Sequence, residues 1–158
     1  DLNQITSVKV EHPSTDSAGY TLKNDMGKLQ LVDAQGMELP MDTTIAQDLM
    51  MHMRDAHFEY FERTFSKAQQ DSTKASKPWH ILTINSAAGT SIRVPFWKKQ
   101  PYPGERTAEM VLLVNDVDRM HALVNDTALV VVQRYWFDRM VPFLGQIRWH
   151  PPQGTTNP

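Results

Sequence analysis

Apolar and polar residues alternate in short runs towards both ends of the chain and recur at helical spacing in between. Residues 5–10 are rich in β-branched side chains and read as a strand. Residues 20–23 and 28–32 alternate and flank Asn24-Asp25-Met26-Gly27, a hairpin turn with glycine where a positive φ is wanted. Tyr20 and Leu22 share one face of the first run, and Leu29 and Leu31 share one face of the second.

Residues 41–67 contain no Gly or Pro and predict one long amphipathic helix over about 43–67. Thr44 and Gln47 fit a capping box, with Asp42 as a competing N-cap. At about 100° per residue, Ala46, Leu49, Met50, Met53, Ala56, Tyr60 and Phe61 fall on one broad apolar face. Met51, Phe58 and Phe65 recur every seven residues on the far side and make a second apolar stripe. One sheet covers the first face. The second stripe needs another cover, either this chain or a partner.

A polar connector, 69–78, leads to two further strands, 79–85 and 92–97, joined by a loop at 86–90. Pro95 puts the second of them at a sheet edge or a bulge. Residues 110–114 and 128–132 are apolar on both faces and read as central strands. Between them Asp116 caps a short helix over about 117–124, and 143–149 alternates as a last strand. The fold class is therefore α+β: one long and one short helix packed on a mostly antiparallel sheet.

Composition sharpens this picture by exclusion. A chain of 158 residues suits a single domain, placed over 1–150, with a polar, Pro-rich tail at 151–158. Its 16 basic and 18 acidic residues give a net charge of -2, which argues against a histone-type polyanion binder. The charge is uneven: 1–75 is net -5 and 76–158 is net +3. With no cysteine, disulfide scaffolds, thiol nucleophiles, Fe–S clusters and Cys-type zinc sites are excluded. The longest apolar run, 110–114, falls far short of a membrane span. A first residue other than Met, together with the polar tail, fits a processed or exported domain. The bacterial periplasm or cell envelope is the expected location.

Candidate chemistry is sparse. Asp48, His52, Asp55, Glu59 and Glu62 share an arc of the long helix, but one helix supplies too few convergent ligands, and no metal or cofactor is expected. His57 and His121 fall on apolar faces and read as buried neutral histidines. Asp116, Asp118 and His121 lie where a strand gives way to a helix, and Asp116 with His121 makes the acid–base pair of an alternative, hydrolase-type reading. Ser86 lacks a nucleophile elbow, and phosphate-loop, dinucleotide, zincin and EF-hand patterns are missing. Asn125-Asp126-Thr127 matches a glycosylation sequon.

Residues 93–106 are the most surface-like stretch, with four cations, one anion and interleaved aromatics. Arg134, Trp136, Arg139, Arg148 and Trp149 extend this patch if their strands lie beside it. The leading expectation is a non-enzymatic protein-interaction or assembly module that binds a protein partner or a second copy. Its contact residues are Met51, Phe58 and Phe65 on the helix stripe and Arg93, Trp97, Lys98, Lys99, Tyr102 and Arg106 on the basic-aromatic edge. Besides the hydrolase, the other alternative is a single-stranded nucleic-acid binder, which the net negative charge disfavours.

Overall fold

The computed structural model describes residues 2–15 and 17–151. Most of the tail expected at 151–158 therefore lies outside the described residues. The fold is α+β and is built on a nine-stranded sheet. The chain runs through β1 (Ile5–Glu11), β2 (Tyr20–Asp25), β3 (Lys28–Val32), β4 (Glu38–Leu39), α1 (Thr43–His52), β5 (Tyr60–Phe61) and α2 (Lys67–Ala75). It continues through β6 (His80–Ser86), β7 (Ser91–Lys98), β8 (Arg119–Val124), β9 (Ala128–Gln133), α3 (Arg134–Phe137) and α4 (Leu144–Ile147). The strand order is β4-β3-β2-β1-β6-β7-β8-β9-β5, and every pairing is antiparallel. Two meanders thus meet at the β1–β6 ladder, where Val8 faces Ile84 and Val10 faces Leu82. Among the described residues no helix is long and apolar enough to cross a membrane.

Alternation decides which residues are covered on each face. One face carries Val8, Val10, Tyr20, Leu22, Leu31, Leu82, Phe96, Met120, Ala122, Val130 and Val132, all buried. Ala46, Leu49 and Met50 of α1 pack on it, together with Phe137, Met140, Val141 and Ile147 from the C-terminal segment. Leu49 is fully enclosed, so Leu49→Ala is expected to lower stability by roughly 2–5 kcal/mol, read as a shifted urea midpoint. The other face is polar towards β2 and β3. Towards β7–β9 it buries Ile81, Trp97, His121, Leu129 and Val131.

The helix expected over 43–67 is broken. Asp42 is its N-cap, its carboxylate accepting from the N–H groups of Thr44 and Ile45, and the helix ends at His52 with a 3-10 turn, Met53–Asp55. Ala56 then turns the chain to extended backbone, and Tyr60 and Phe61 pair with Val131 and Val130 of β9. Residues 56–65 hold four aromatic rings besides His57, and aromatics favour strands over helices. Without β5, β9 would present an open edge there, and the Glu59 and Glu62 N–H groups complete the ladder on Val131 and Leu129. A second helix, α2, opens at the end of the 43–67 span and runs through most of the expected connector at 69–78. Ser66 and Gln69 form its capping box.

Four other expectations change. Residues 117–124 are not a helix but strand β8, whose Met120 and Ala122 face the core while His121 faces the other side. Asp116 does cap, yet it accepts from the Asp118 and Arg119 N–H groups at 2.9 Å each to launch a strand. Residues 110–114 lie outside the sheet. Residues 143–149 are not a strand but hold the one-turn helix α4, Leu144–Ile147, with Ile147 buried. Strand β7 is central rather than an edge, but Pro95 marks where β8 pairing stops: Phe96, Trp97 and Lys98 pair with β8 and Pro95 does not. A residue without an N–H has nothing to offer that ladder.

Candidate functional site

Residues 100–115 make a long excursion between β7 and β8, closed at its base by two contacts between the same residues. The Asp116 N–H donates to the Lys99 carbonyl at 2.8 Å, and the Lys99 ammonium donates to the Asp116 carboxylate at 3.2 Å. Both side chains are buried, at 9% and 4% exposure. Burial opposes ionisation of Asp116. Hydrogen bonds from Asp118, Lys99 and Arg119 outweigh it and hold the carboxyl below its usual range. Further out, the chain doubles back through a bridge between Arg106 and Leu112, and the Arg106 guanidinium donates to the Met110 carbonyl at 2.8 Å. From its outer turn back to its base the excursion is apolar and open: Met110 is 69% exposed and Val114 79%, with Val111 and Leu112 also exposed, and Val117 just past the base is exposed as well. Met110 sits at a φ of 65°, the left-handed region that a turn of this tightness demands.

The buried part of the second face holds a cavity of about 390 Å³ lined by Trp79, Trp97, Phe65, Lys77, Lys98 and His121 among others. At its base the neutral His121 ring donates Nε2–H to Glu62 at 3.0 Å. Burial lowers the His121 pKa despite its carboxylate partner. Glu62 resists the same burial because Thr64 and His121 donate hydrogen bonds to it, so its carboxyl lies below the usual range.

A third titratable group lies on the core side. His12 Nδ1 and His80 Nδ1 are 2.7 Å apart, and His12 Nε2 lies 3.3 Å from the Pro142 carbonyl. A carbonyl only accepts, so His12 carries its proton on Nε2 and its Nδ1 accepts from His80 Nδ1–H. Burial pushes His80 down to about 3, helped by His12, Arg134 and Lys98, and burial lowers His12 as well.

The residues expected to make contact are dispersed by this fold. Met51 is exposed on α1, and Phe58 is exposed in the extended segment, its ring 4.8 Å from Phe61. Phe65 is half-buried against His121, with ring centroids 4.9 Å apart. They form no continuous stripe, because the helix that would align them ends at His52. Arg93, Lys98, Tyr102 and Arg106 are exposed. Trp97 is not at the surface: it is 5% exposed and its Nε1–H donates to the Ser76 carbonyl at 3.1 Å. Lys99 is the buried partner of Asp116 rather than a free surface cation.

Other candidate groups also find different partners. Asp116 and His121 do not pair, since each is committed elsewhere. Glu59 leaves the supposed acidic arc to bind Arg119 at 2.9 and 3.2 Å, and His57 is exposed rather than buried. Of the suggested extensions, Arg134 does join the patch: its guanidinium lies 4.9 Å from the Trp79 ring centre, and the Lys98 ammonium is equally far. Trp149 is held away from it by its backbone N–H, which donates to the Pro40 carbonyl, and its side chain is exposed.

Sequence reasoning passed over Trp79, the His12–His80 pair and the Glu62–His121 pair. Both pairs join residues about sixty positions apart, and no local spacing announces them. Comparison with family models, with curated proteins and with solved structures finds no match to this chain.

Proposed function

We propose that this chain is a non-enzymatic protein-interaction or assembly module, and that the excursion over 100–115 is its principal contact. The observation that carries this reading is the open apolar tip. Met110, Val111, Leu112, Val114 and Val117 are all more than half exposed, within eight successive residues. So many exposed apolar side chains in one short run are costly in water and typical of contact surfaces. Tyr102 on the same excursion and Tyr60 and Phe61 on β5 add exposed aromatic area of the type that interfaces favour. The buried Lys99–Asp116 clasp anchors both ends of the excursion to the sheet, which lowers the entropy lost when a partner docks. The hydrolase alternative loses its motivating pair, because Asp116 and His121 are each held by another residue.

The first partner to test is a second copy. Its two halves carry opposite net charge, which makes a self-complementary contact electrostatically accessible. Sedimentation velocity across a wide concentration range is the experiment. Concentration-dependent association that disappears in Val114→Asp, with the far-ultraviolet spectrum unchanged, is the expected outcome. A chain that associates equally well with Asp at 114 would refute the role of the tip.

A further inference from the structure

We propose that the cavity on the α2 side of the sheet is a binding site for a small planar aromatic anion of the aryl carboxylate class. This site is separate from the excursion tip and does not depend on the interaction reading. Its walls supply flat apolar area from Trp79, Trp97 and Phe65. Its charged lining groups are Lys77 and Lys98; among the described residues no carboxylate lines it and neither lysine has an ion-pair partner. Glu62, the acid bonded to the lining residue His121, is buried and spends its oxygens on His121 and Thr64. The hydroxyls of Ser14, Thr15, Thr73 and Ser76 on the lining donate to backbone carbonyls, which leaves the two lysines as the groups that would receive an anion.

The cationic character continues past the cavity. A smaller neighbouring cavity of about 170 Å³ shares Trp79 and Lys98 and adds Asp116, Arg119 and Arg134, so three cations stand there against one carboxylate that is itself bonded to Lys99. Lys98 and Arg134 both lie 4.9 Å from the Trp79 ring centre, so positive charge is concentrated beside an aromatic platform. Indole faces reward flat rings, and unpaired ammonium groups in a partly enclosed site reward a carboxylate. A volume of about 390 Å³ sits at the small end of ligand cavities, which suits a one- or two-ring acid rather than a nucleotide.

The test titrates naphthoate and its neutral amide, naphthamide, into the intact protein and follows the four tryptophan indole N–H signals in a proton–nitrogen correlation spectrum. The expected result is saturable one-site binding of naphthoate that shifts the Trp79 and Trp97 signals and leaves Trp136 and Trp149 in place. The amide should bind roughly tenfold or more weakly, the loss expected for a charge-assisted contact. The double substitution Lys77→Gln with Lys98→Gln should bring naphthoate down to the amide's affinity. Both lysines are exposed, so the rest of the spectrum should hold and report an intact fold. Equal binding of acid and amide, shifts centred on Trp136 or Trp149, or no saturable shift would each overturn the assignment. The acid–amide comparison is made on the unaltered protein and stands whatever the lysine variant does.

Discussion

Acidification from about pH 7 to about pH 5 is expected to cost about 2 kcal/mol of folding stability through His80 alone. The folded protein holds this imidazole at a pKa of about 3, against 6.5 when it is free in the unfolded chain. Between those values the unfolded chain binds the extra proton and the folded one does not. Stability is therefore fully present above the unfolded pKa and is lost as pH falls towards the folded one. The cause is geometric as well as electrostatic. His80 is 2% exposed, its Nδ1–H is already given to His12, and Lys98 and Arg134 oppose a further positive charge. His12 and His121 are displaced in the same direction and add to the loss in this window, whereas Glu62 and Asp116 add theirs only at lower pH. Urea unfolding at the two pH values measures the total. A His12→Phe, His80→Leu double variant should flatten the dependence by the share of this pair. If it keeps the full pH slope, the pair is not the source.

Asp116→Ala should be among the most damaging single changes, at roughly 3–5 kcal/mol. It strands the Lys99 ammonium in a site where that side chain is 9% exposed, and it removes the acceptor for the Asp118 and Arg119 N–H groups. Replacing both members, as Lys99→Met with Asp116→Asn, takes away the lone charge while keeping an acceptor for the two N–H groups. That double variant should recover a large part of the loss. Thermal unfolding of the single and double variants separates the two effects: if they are equally unstable, charge burial is not the dominant penalty. The double variant should also free the base of the excursion, seen as faster amide exchange over 100–115.

Strands β1, β2 and β3 of the first meander are legible because their signals are local, whereas the two-residue β4 is not. The alternation in 28–32 and the glycine at 27, observed at a φ of 94°, specify that hairpin within a dozen residues. The helix over 43–67 shows the limit of such reading. Its periodicity is real on Ala46, Leu49 and Met50, but beyond His52 the unpaired edge of β9 offers Tyr60 and Phe61 a ladder that no helical count can register. The strand β8 was within reach: Asn125 and Asp126 take φ values of 52° and 56°, the two positive angles of a tight hairpin turn. The same pair also fits a sequon, and the hydrophobic spacing before it fits a helix as well as a strand. In the candidate site, the exposed cations Arg93, Lys98 and Arg106 followed from composition. The burial of Lys99 and Trp97 did not, because it depends on Asp116 and Ser76, which are distant in sequence.

The outermost strands, β4 and β5, contribute two residues apiece to a sheet nine strands wide. Margins that short give a neighbouring molecule almost no backbone to template upon, so fibrillar growth by lateral annealing has no foothold there. At those two margins any contact is left to side chains standing off the surface rather than to prolonging the hydrogen-bonded fabric, and such contacts can be undone by a single charge.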